Sequence, residues 1–266
     1  MKDSRALNNT DDETDITILI TCYNEESYIV DTIENVISAL DEVGVTYDIV
    51  VIDDLSSDNS VRRIEEYLRD HPRLPVHLHV NERNRGLANN YVDGAFLGKG
   101  KYYRLCCGDD PETRESLVHV FRNIGKADMI LPYQDQKAVA GKSGGRKMLS
   151  RTFTFLINTL SGYKIKYYNG SAIQLRYNVM RWHPNSFGFG FQADMVTRLL
   201  DEGVTYMQVR TLEAIDRKGG DSSALKIRNI LSVWHSILEI LIRRVRRCLY
   251  GDRSVRAREI PNSNDD

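Results

Sequence analysis

The stretch Ile16-Thr17-Ile18-Leu19-Ile20-Thr21-Cys22-Tyr23-Asn24-Glu25-Glu26 carries the decision about the fold. Its first half is a short apolar run rich in β-branched residues. It stops abruptly at polar side chains, which reads as a strand buried on both faces. Beyond the stop, Ile29, Ile33, Val36, Ile37 and Leu40 recur at helical spacing, which predicts a helix from about Glu26 to Glu42. The alternation then repeats. Ile49-Val50-Val51-Ile52 is a strand stopped by Asp53-Asp54, and Ser57 or Asp58 can cap a helix reaching Arg69. Val76 to Val80 is a strand, a helix runs from Gly86 to Leu97, and Tyr102 to Cys107 is a strand stopped by Gly108-Asp109-Asp110. Met129-Ile130-Leu131 is the next strand. Strand alternating with helix means βαβ crossovers, so the expected fold is α/β with a mostly parallel sheet covered on both faces. Ligands of such sheets bind beyond the carboxyl ends of the strands. The polar clusters at 23–25, 53–54 and 108–110 all follow strands, and are expected to converge on that edge.

The second half is less regular. Residues 134–147 carry three glycines, three lysines and an arginine and read as a mobile loop. Helices are expected over about Arg146 to Leu160 and Gln192 to Glu202, a strand over Thr205 to Val209, and an amphipathic helix from Leu225 to about Tyr250. The 266 residues suffice for one large domain. The net charge of −1 speaks against a general nucleic-acid binder, and the arginine run near the end lacks interleaved aromatics. The cysteines, Cys22, Cys106, Cys107 and Cys248, include no Cys-x-x-Cys pair and read as reduced thiols of a cytoplasmic chain. No apolar run reaches the roughly 18 residues of a membrane-spanning helix. Residues 1–14 are polar and acidic and read as a disordered lead-in with no signal peptide.

Chemistry is expected at the strand ends. Asp109 and Asp110 follow a tight turn at Gly108, and adjacent carboxylates repel unless a cation lies between them. Oxygen ligands suit Mg2+ or Mn2+, a cation that can bridge a diphosphate; a solvated acidic turn is the plainer alternative. A phosphoreceiver domain would need its acidic pair after the first strand, where this chain has Tyr23-Asn24-Glu25. A dinucleotide-binding fold would need Gly-x-Gly-x-x-Gly there.

Taken in order, Thr21-Cys22-Tyr23-Asn24-Glu25-Glu26, Val51-Ile52-Asp53-Asp54-Leu55-Ser56-Ser57-Asp58, Asn84-Arg85-Gly86-Leu87-Ala88-Asn89-Asn90 and Gly108-Asp109-Asp110 closely resemble the family 2 glycosyltransferases, and among them the polyprenyl-phosphate sugar synthases. The resemblance is strong over about residues 16–112 and readable to about residue 230. It implies a GT-A fold and a metal-dependent inverting glycosyltransferase whose donor is a nucleotide-diphosphate sugar. It gives Tyr23, Asn24 and Glu25 to the base and ribose, Asp53 or Asp54 to the base edge, and Arg85 and Gly86 to the nucleotide. Asp109 becomes the metal ligand, with Asp110 beside it. Asp194 matches a candidate general base, or an acid that only positions if the acceptor is a phosphate. Arg217 would clamp the leaving diphosphate within Arg217-Lys218-Gly219-Gly220-Asp221-Ser222, whose Ser222 completes the donor set.

Three departures stand out. Cys22 replaces a proline, Cys107 replaces the first acid of Asp-x-Asp, and Ser223 stands where polyprenyl-phosphate members have a lysine. The acceptor is therefore left open among a polyprenyl phosphate, a glycolipid and a saccharide. The lost acid also keeps open a nucleotide-sugar-binding pseudoenzyme that regulates a membrane partner. The resulting division is lead-in 1–14, GT-A domain 15–224, amphipathic helix 225–250 and polar tail 251–266. Between residues 226 and 258 nine Lys or Arg face two acids, Glu239 and Asp252. A basic amphipathic helix with Trp234 suits an anionic membrane surface, here the inner face of the cell membrane; it equally suits a homo-oligomer.

Overall fold

The computed structural model describes residues 14–109, 112–134, 144–181, 190–211, 227–250 and 256–262, with the side chains of 144–147 and 227–233 excepted. The expected alternation is present: β1 (Ile16–Cys22), α1 (Ile29–Val43), β2 (Tyr47–Asp53), α2 (Ser60–Asp70), β3 (Val76–Val80), α3 (Leu87–Leu97) and β4 (Tyr102–Cys107). There follow α4 (Arg114–Phe121), β5 (Met129–Gln134), α5 (Gly144–Ser161), β6 (Ile173–Leu175), α6 (Arg176–Met180) and α7 (Phe191–Asp201). The last elements are β7 (Thr205–Thr211), α8 (Ile227–Tyr250) and β8 (Arg258–Glu259). Strands of the described residues form one sheet in the order β3-β2-β1-β4-β6-β5-β7-β8. All pairings are parallel except those of the short β6, which runs antiparallel to β4 and β5.

The central strands are buried on both faces, which explains the near-continuous apolar runs of β1 and β2. Alternate side chains divide between two cores. Ile16, Ile18, Ile20, Ile49, Val51 and Cys106 pack under α1, α2 and α4, whereas Leu19, Val50, Ile52, Tyr103 and Leu105 pack under α3, α5 and α7. Close approach at the start of β1 requires glycine at 100. A Cβ there would lie 2.2 Å from the Thr17 nitrogen and 2.3 Å from the Ile16 carbonyl carbon. Buried Asp48 fixes the same corner, accepting from Thr17 Oγ1 at 2.6 Å and Lys99 N at 3.1 Å.

Register is what positions the site. Cys22 pairs with Asp53, and Thr21 with Cys107, so β1, β2 and β4 end flush. Their following turns emerge side by side at the carboxyl edge. Four short elements were not expected from the sequence: α4, β6, α6 and β8. The last lies in the stretch expected to be a polar tail, yet it pairs with β7, and Ile260 packs against the first core. Most of the glycine- and lysine-rich loop, residues 135–143, lies outside the described residues, as does the lead-in through residue 13.

Candidate functional site

The three turns are stitched to one another by side chains. After β1, Asn24 adopts φ 59°, a left-handed conformation that Asn tolerates better than most residues. Its N–H donates to Ser56 Oγ at 2.8 Å, and its Oδ1 accepts from Ser57 N at 2.8 Å. The N–H of Glu25 donates to Ser60 Oγ at 2.9 Å, and that of Glu26 to Asp58 Oδ2 at 3.1 Å. Glu26 returns the contact through Oε2, which accepts from both nitrogens of Asn59 at 2.9 Å. These bonds draw Glu26 out of the helix expected to include it, and α1 begins at Ile29. Tyr23 stands 53% exposed at the mouth of the turn.

After β2, both acids are buried, Asp53 at 0% and Asp54 at 5% exposure. Asp53 closes its own loop: Oδ1 accepts from Ser56 N at 2.9 Å, and Oδ2 accepts a short bond from Ser56 Oγ. Asp54 reaches across to the turn between β3 and α3. Its Oδ1 accepts from Arg85 N at 2.7 Å and Asn81 Nδ2 at 2.9 Å, and its Oδ2 accepts from Gly86 N at 2.9 Å. Gly86, at φ 78° and ψ 158°, occupies a region closed to other residues and starts α3. The Arg85 guanidinium is drawn back onto Asp93 at 2.6 Å. Between the acids and Ser56, Leu55 is held at φ 70° with its side chain 49% exposed.

After β4, Gly108 is pinned at two points. Its N–H donates to Thr21 O at 2.7 Å, and its carbonyl accepts from Thr32 Oγ1 at 2.8 Å. A Cβ at Gly108 would stand 2.9 Å from Thr21 O and 3.1 Å from Glu25 Cγ, so the Glu25 side chain lies against this turn. Asp109 is exposed on it, and Asp110 lies outside the described residues. The returning chain is tied down by Glu112, which forms an ion pair with the fully buried Arg104 of β4 and accepts from Asn35 Nδ2 at its carbonyl, at 2.9 Å.

Electrostatics follow the bonding. Burial alone would raise the Asp58 carboxyl; hydrogen bonds from the Ser60 side chain and backbone and from Glu26 N–H outweigh it and hold the group below the usual carboxylate range. Burial pushes the Cys22 thiol up to about 11, so the residue in the proline position is a neutral packing group at ordinary pH.

Tyr23, Asn24, Glu25, Asp53, Asp54, Arg85, Gly86 and Asp109 are thus gathered at one edge. Asp194 is not part of that network. It begins α7, is 2% exposed, and its carboxylate binds Arg198 Nε at 3.0 Å and Arg243 NH1 at 2.7 Å. Arg217 and Ser222 lie outside the described residues. Sequence reasoning missed the supporting residues Ser56, Asn81, Thr32, Arg104 and Glu112. The Asp53-to-Ser56 turn had a local signal, an acid followed by Ser at turn spacing. The others act across distant elements and had none.

Comparisons with known proteins bear on the family and the fold. The chain is 25% identical over 168 residues to a dolichyl-phosphate beta-glucosyltransferase of Dictyostelium discoideum, covering 57% of this chain and 50% of that one. It is 25% identical over 185 residues to a poly-beta-1,6-N-acetyl-D-glucosamine synthase of Staphylococcus aureus, covering 64% of this chain and 43% of that one. The chain thus spans about half the length of these curated relatives or less. Among solved structures, a mannosyltransferase of Pyrobaculum calidifontis in complex with GDP-Man and Mn2+ superposes with TM-score 0.63 at 15% identity, over 88% of this chain and 70% of that one. A glucosyl-3-phosphoglycerate synthase of Mycobacterium tuberculosis, in complex with Mn2+, UDP and phosphoglyceric acid, does so with TM-score 0.63 at 14% identity, over 87% and 78%. These likenesses show the GT-A fold. The family model for glycosyl transferase family 2 matches residues 17–181, more than half of the sequence, and the chain belongs to that family.

Proposed function

We propose that this chain transfers a sugar from a nucleotide-diphosphate sugar to a lipid-linked or saccharide acceptor, with inversion at the anomeric carbon. The observation that carries the proposal is the flush ending of β1, β2 and β4, which sets an exposed carboxylate, Asp109, beside three interlocked turns at the carboxyl edge of the sheet. That is where an open parallel sheet takes its ligand. Donor-bound neighbours support the donor class, since one was solved with GDP-Man and another, TarS of Staphylococcus aureus, with UDP-GlcNAc.

The residues at this edge fit a divalent cation. Asp109 is a hard oxygen donor on a turn fixed through Gly108, and Mg2+ is commonly held by one or two carboxylates plus substrate phosphates and water. Asp109, with Asp110 next in sequence, would supply the protein's share. Bound there, Mg2+ or Mn2+ would neutralise charge developing on the leaving diphosphate. Asn24, Glu25 and the backbone of 84–86 then hold the nucleotide, and Arg217 and Ser222 meet the diphosphate from the second half of the chain. Asp53 and Asp54 serve this site by fixing its loops, because their carboxylate oxygens are already taken up within the turns. Asp194 is assigned as a positioning residue. One oxygen accepts from Arg198 of α7 itself and the other from Arg243 of α8, so both are engaged by guanidinium groups rather than open to an acceptor hydroxyl.

The test is Asp109→Asn. The variant should keep its melting temperature, lose metal-dependent stabilisation by nucleotide diphosphates and lose transfer. Turnover equal to that of the parent, or full parental activity in excess chelator, refutes the metal assignment. Donor binding by the parent without transfer to any lipid-phosphate or saccharide acceptor would favour a regulatory nucleotide-sugar sensor.

A further inference from the structure

Helix α8 has two unlike faces over its side-chain-described part, residues 234–250. The inner face carries buried Ser236 and Ile240 and, one turn later, three arginines that bind acids of α7. Arg243 reaches Asp194 at 2.7 Å and Asp201 at 3.3 Å, Arg244 reaches Asp201 at 2.5 Å, and Arg247 reaches it at 2.9 Å. Arg243 also donates to Thr197 Oγ1 at 2.6 Å. Arg243 thus bridges both acids, and the three arginines together tie α8 to α7. The outer face is apolar. Trp234, Leu238, Leu241, Ile242, Val245 and Leu249 recur at spacings of one, three and four and form one stripe along the helix. Their exposures are 62%, 52%, 41%, 54%, 50% and 76%. A contiguous exposed stripe of this kind marks a surface that meets something.

We propose that this outer face docks on an anionic bilayer surface, and that the apolar stripe, not the arginine run, supplies most of the hold. Charge distribution selects the occupant. Of the arginines in Arg243-Arg244-Val245-Arg246-Arg247, three are drawn inward onto Asp194 and Asp201, and Arg246 is the one left exposed. The acid of α8, Glu239, is half-buried and faces His235 at 3.8 Å. Beyond the helix Arg256, Arg258 and Glu259 are exposed, and Glu259 accepts from Tyr206 and Gln208. The outward surface of this segment is therefore apolar with a thin basic border and aromatic residues, Trp234 and Tyr250, toward its ends. Interfacial helices are built this way. A two-fold contact between copies would place the same patch against itself, Arg246 included, with no exposed acid on α8 to answer it. The docking stands on α8 alone. Its consequence, an acceptor carried by the bilayer, rests on the transferase reading above.

The experiment is flotation of the full chain with vesicles of phosphatidylcholine alone or with phosphatidylserine added. The chain should float with the anionic vesicles, and about half or more should stay bound as salt rises from about 0.1 M to about 1 M, where the Debye length falls from about 10 Å to about 3 Å. The triple variant Leu238→Ser, Leu241→Ser, Val245→Ser should lose roughly tenfold or more in partition while keeping its nucleotide thermal shift. Since that variant could misfold, Trp182→Phe provides a second route. In it Trp234 is the remaining tryptophan, and bromine-labelled acyl chains should quench it. Failure to float, complete release by high salt, full flotation of the triple variant, or absence of quenching each overturns the proposal. So does a stripe variant that turns a dimer into a monomer without changing flotation. The nucleotide shift, read in the same samples, reports the donor reading separately, so either can fail alone.

Discussion

Replacing Asp54 by Asn separates two roles that the sequence leaves equivalent, reading a base edge and holding a loop. Asp54 accepts three hydrogen bonds in a site 5% exposed: Arg85 N and Asn81 Nδ2 on one oxygen, Gly86 N on the other. Asn keeps one carbonyl oxygen and so can keep the pair. Its amide nitrogen then meets the Gly86 N–H donor to donor. Charge-assisted bonds contribute about 1.5–3 kcal/mol each, and a buried donor left unpaired costs about 1–3 kcal/mol. The loss should therefore be about 2–3 kcal/mol, below the roughly 5–15 kcal/mol that holds a domain together, so Asp54→Asn remains folded. The turn at 84–86 should move away from Asp54. Urea unfolding should show the lower midpoint at unchanged slope. Calorimetric titration with UDP, GDP and ADP should show weakening by a similar factor for all three, because a displaced turn does not distinguish bases. An unchanged midpoint with a loss confined to one nucleotide would refute this reasoning and make Asp54 the base reader.

Three further outcomes are expected. Gly108→Ala should weaken metal-dependent nucleotide binding and cost about 1–3 kcal/mol, since its Cβ would stand 2.9 Å from the Thr21 carbonyl oxygen; nucleotide titration beside thermal melting checks both. Asp201→Asn should cost about 3–5 kcal/mol, because Arg243, Arg244 and Arg247 lose a shared buried carboxylate, and limited proteolysis should then cut near α8 first. Acid should loosen the first turn. Asp58 lies below its ordinary value when folded, so its contribution is complete above the unfolded value of about 3.9 and is lost as pH falls through the folded one. Asp58→Asn should flatten that part of the stability–pH curve, and an unchanged acid limb counts against the assignment.

Most of the sheet was legible because its central strands are buried on both faces. Apolar runs such as Ile16–Thr21 and Tyr102–Cys107, each cut off by polar residues, follow directly from that burial. The elements that escaped are those whose cause lies elsewhere in the chain. β6 and β8 have three and two residues, and exist through pairing with β4, β5 and β7. Helix α4 did carry a local signal, Thr113, whose side chain accepts from Ser116 N at its start. The site was legible as a set of positions and less so as a set of roles. That acids follow β2 is visible in the sequence; that Asp54 binds the backbone of residues 85 and 86 requires the fold.

Helix α8 shows how composition leaves the pairing of charges open. Nine basic residues against two acids between 226 and 258 imply a basic surface only if the counter-charge must come from the same segment. Here it comes from α7, where Asp194 and Asp201 stand seven residues apart, two helical turns, and so share one face. Arg243, Arg244 and Arg247 form the complementary row. The ionic contact is inside and the apolar stripe outside, the reverse of a helix held to lipid by its arginines. The two contacts should therefore respond differently to solution conditions. Partly buried pairs are screened less than exposed ones, so moderate salt should leave α8 docked on α7, whereas replacing Asp194 and Asp201 together by Asn should release it. Because Arg243, Arg244 and Arg247 tie the two helices together, anything that holds α8 at a surface also holds α7 there. On the proposed docking, that tie alone would bring α7, with Asp194 in its first turn, to the surface that α8 meets.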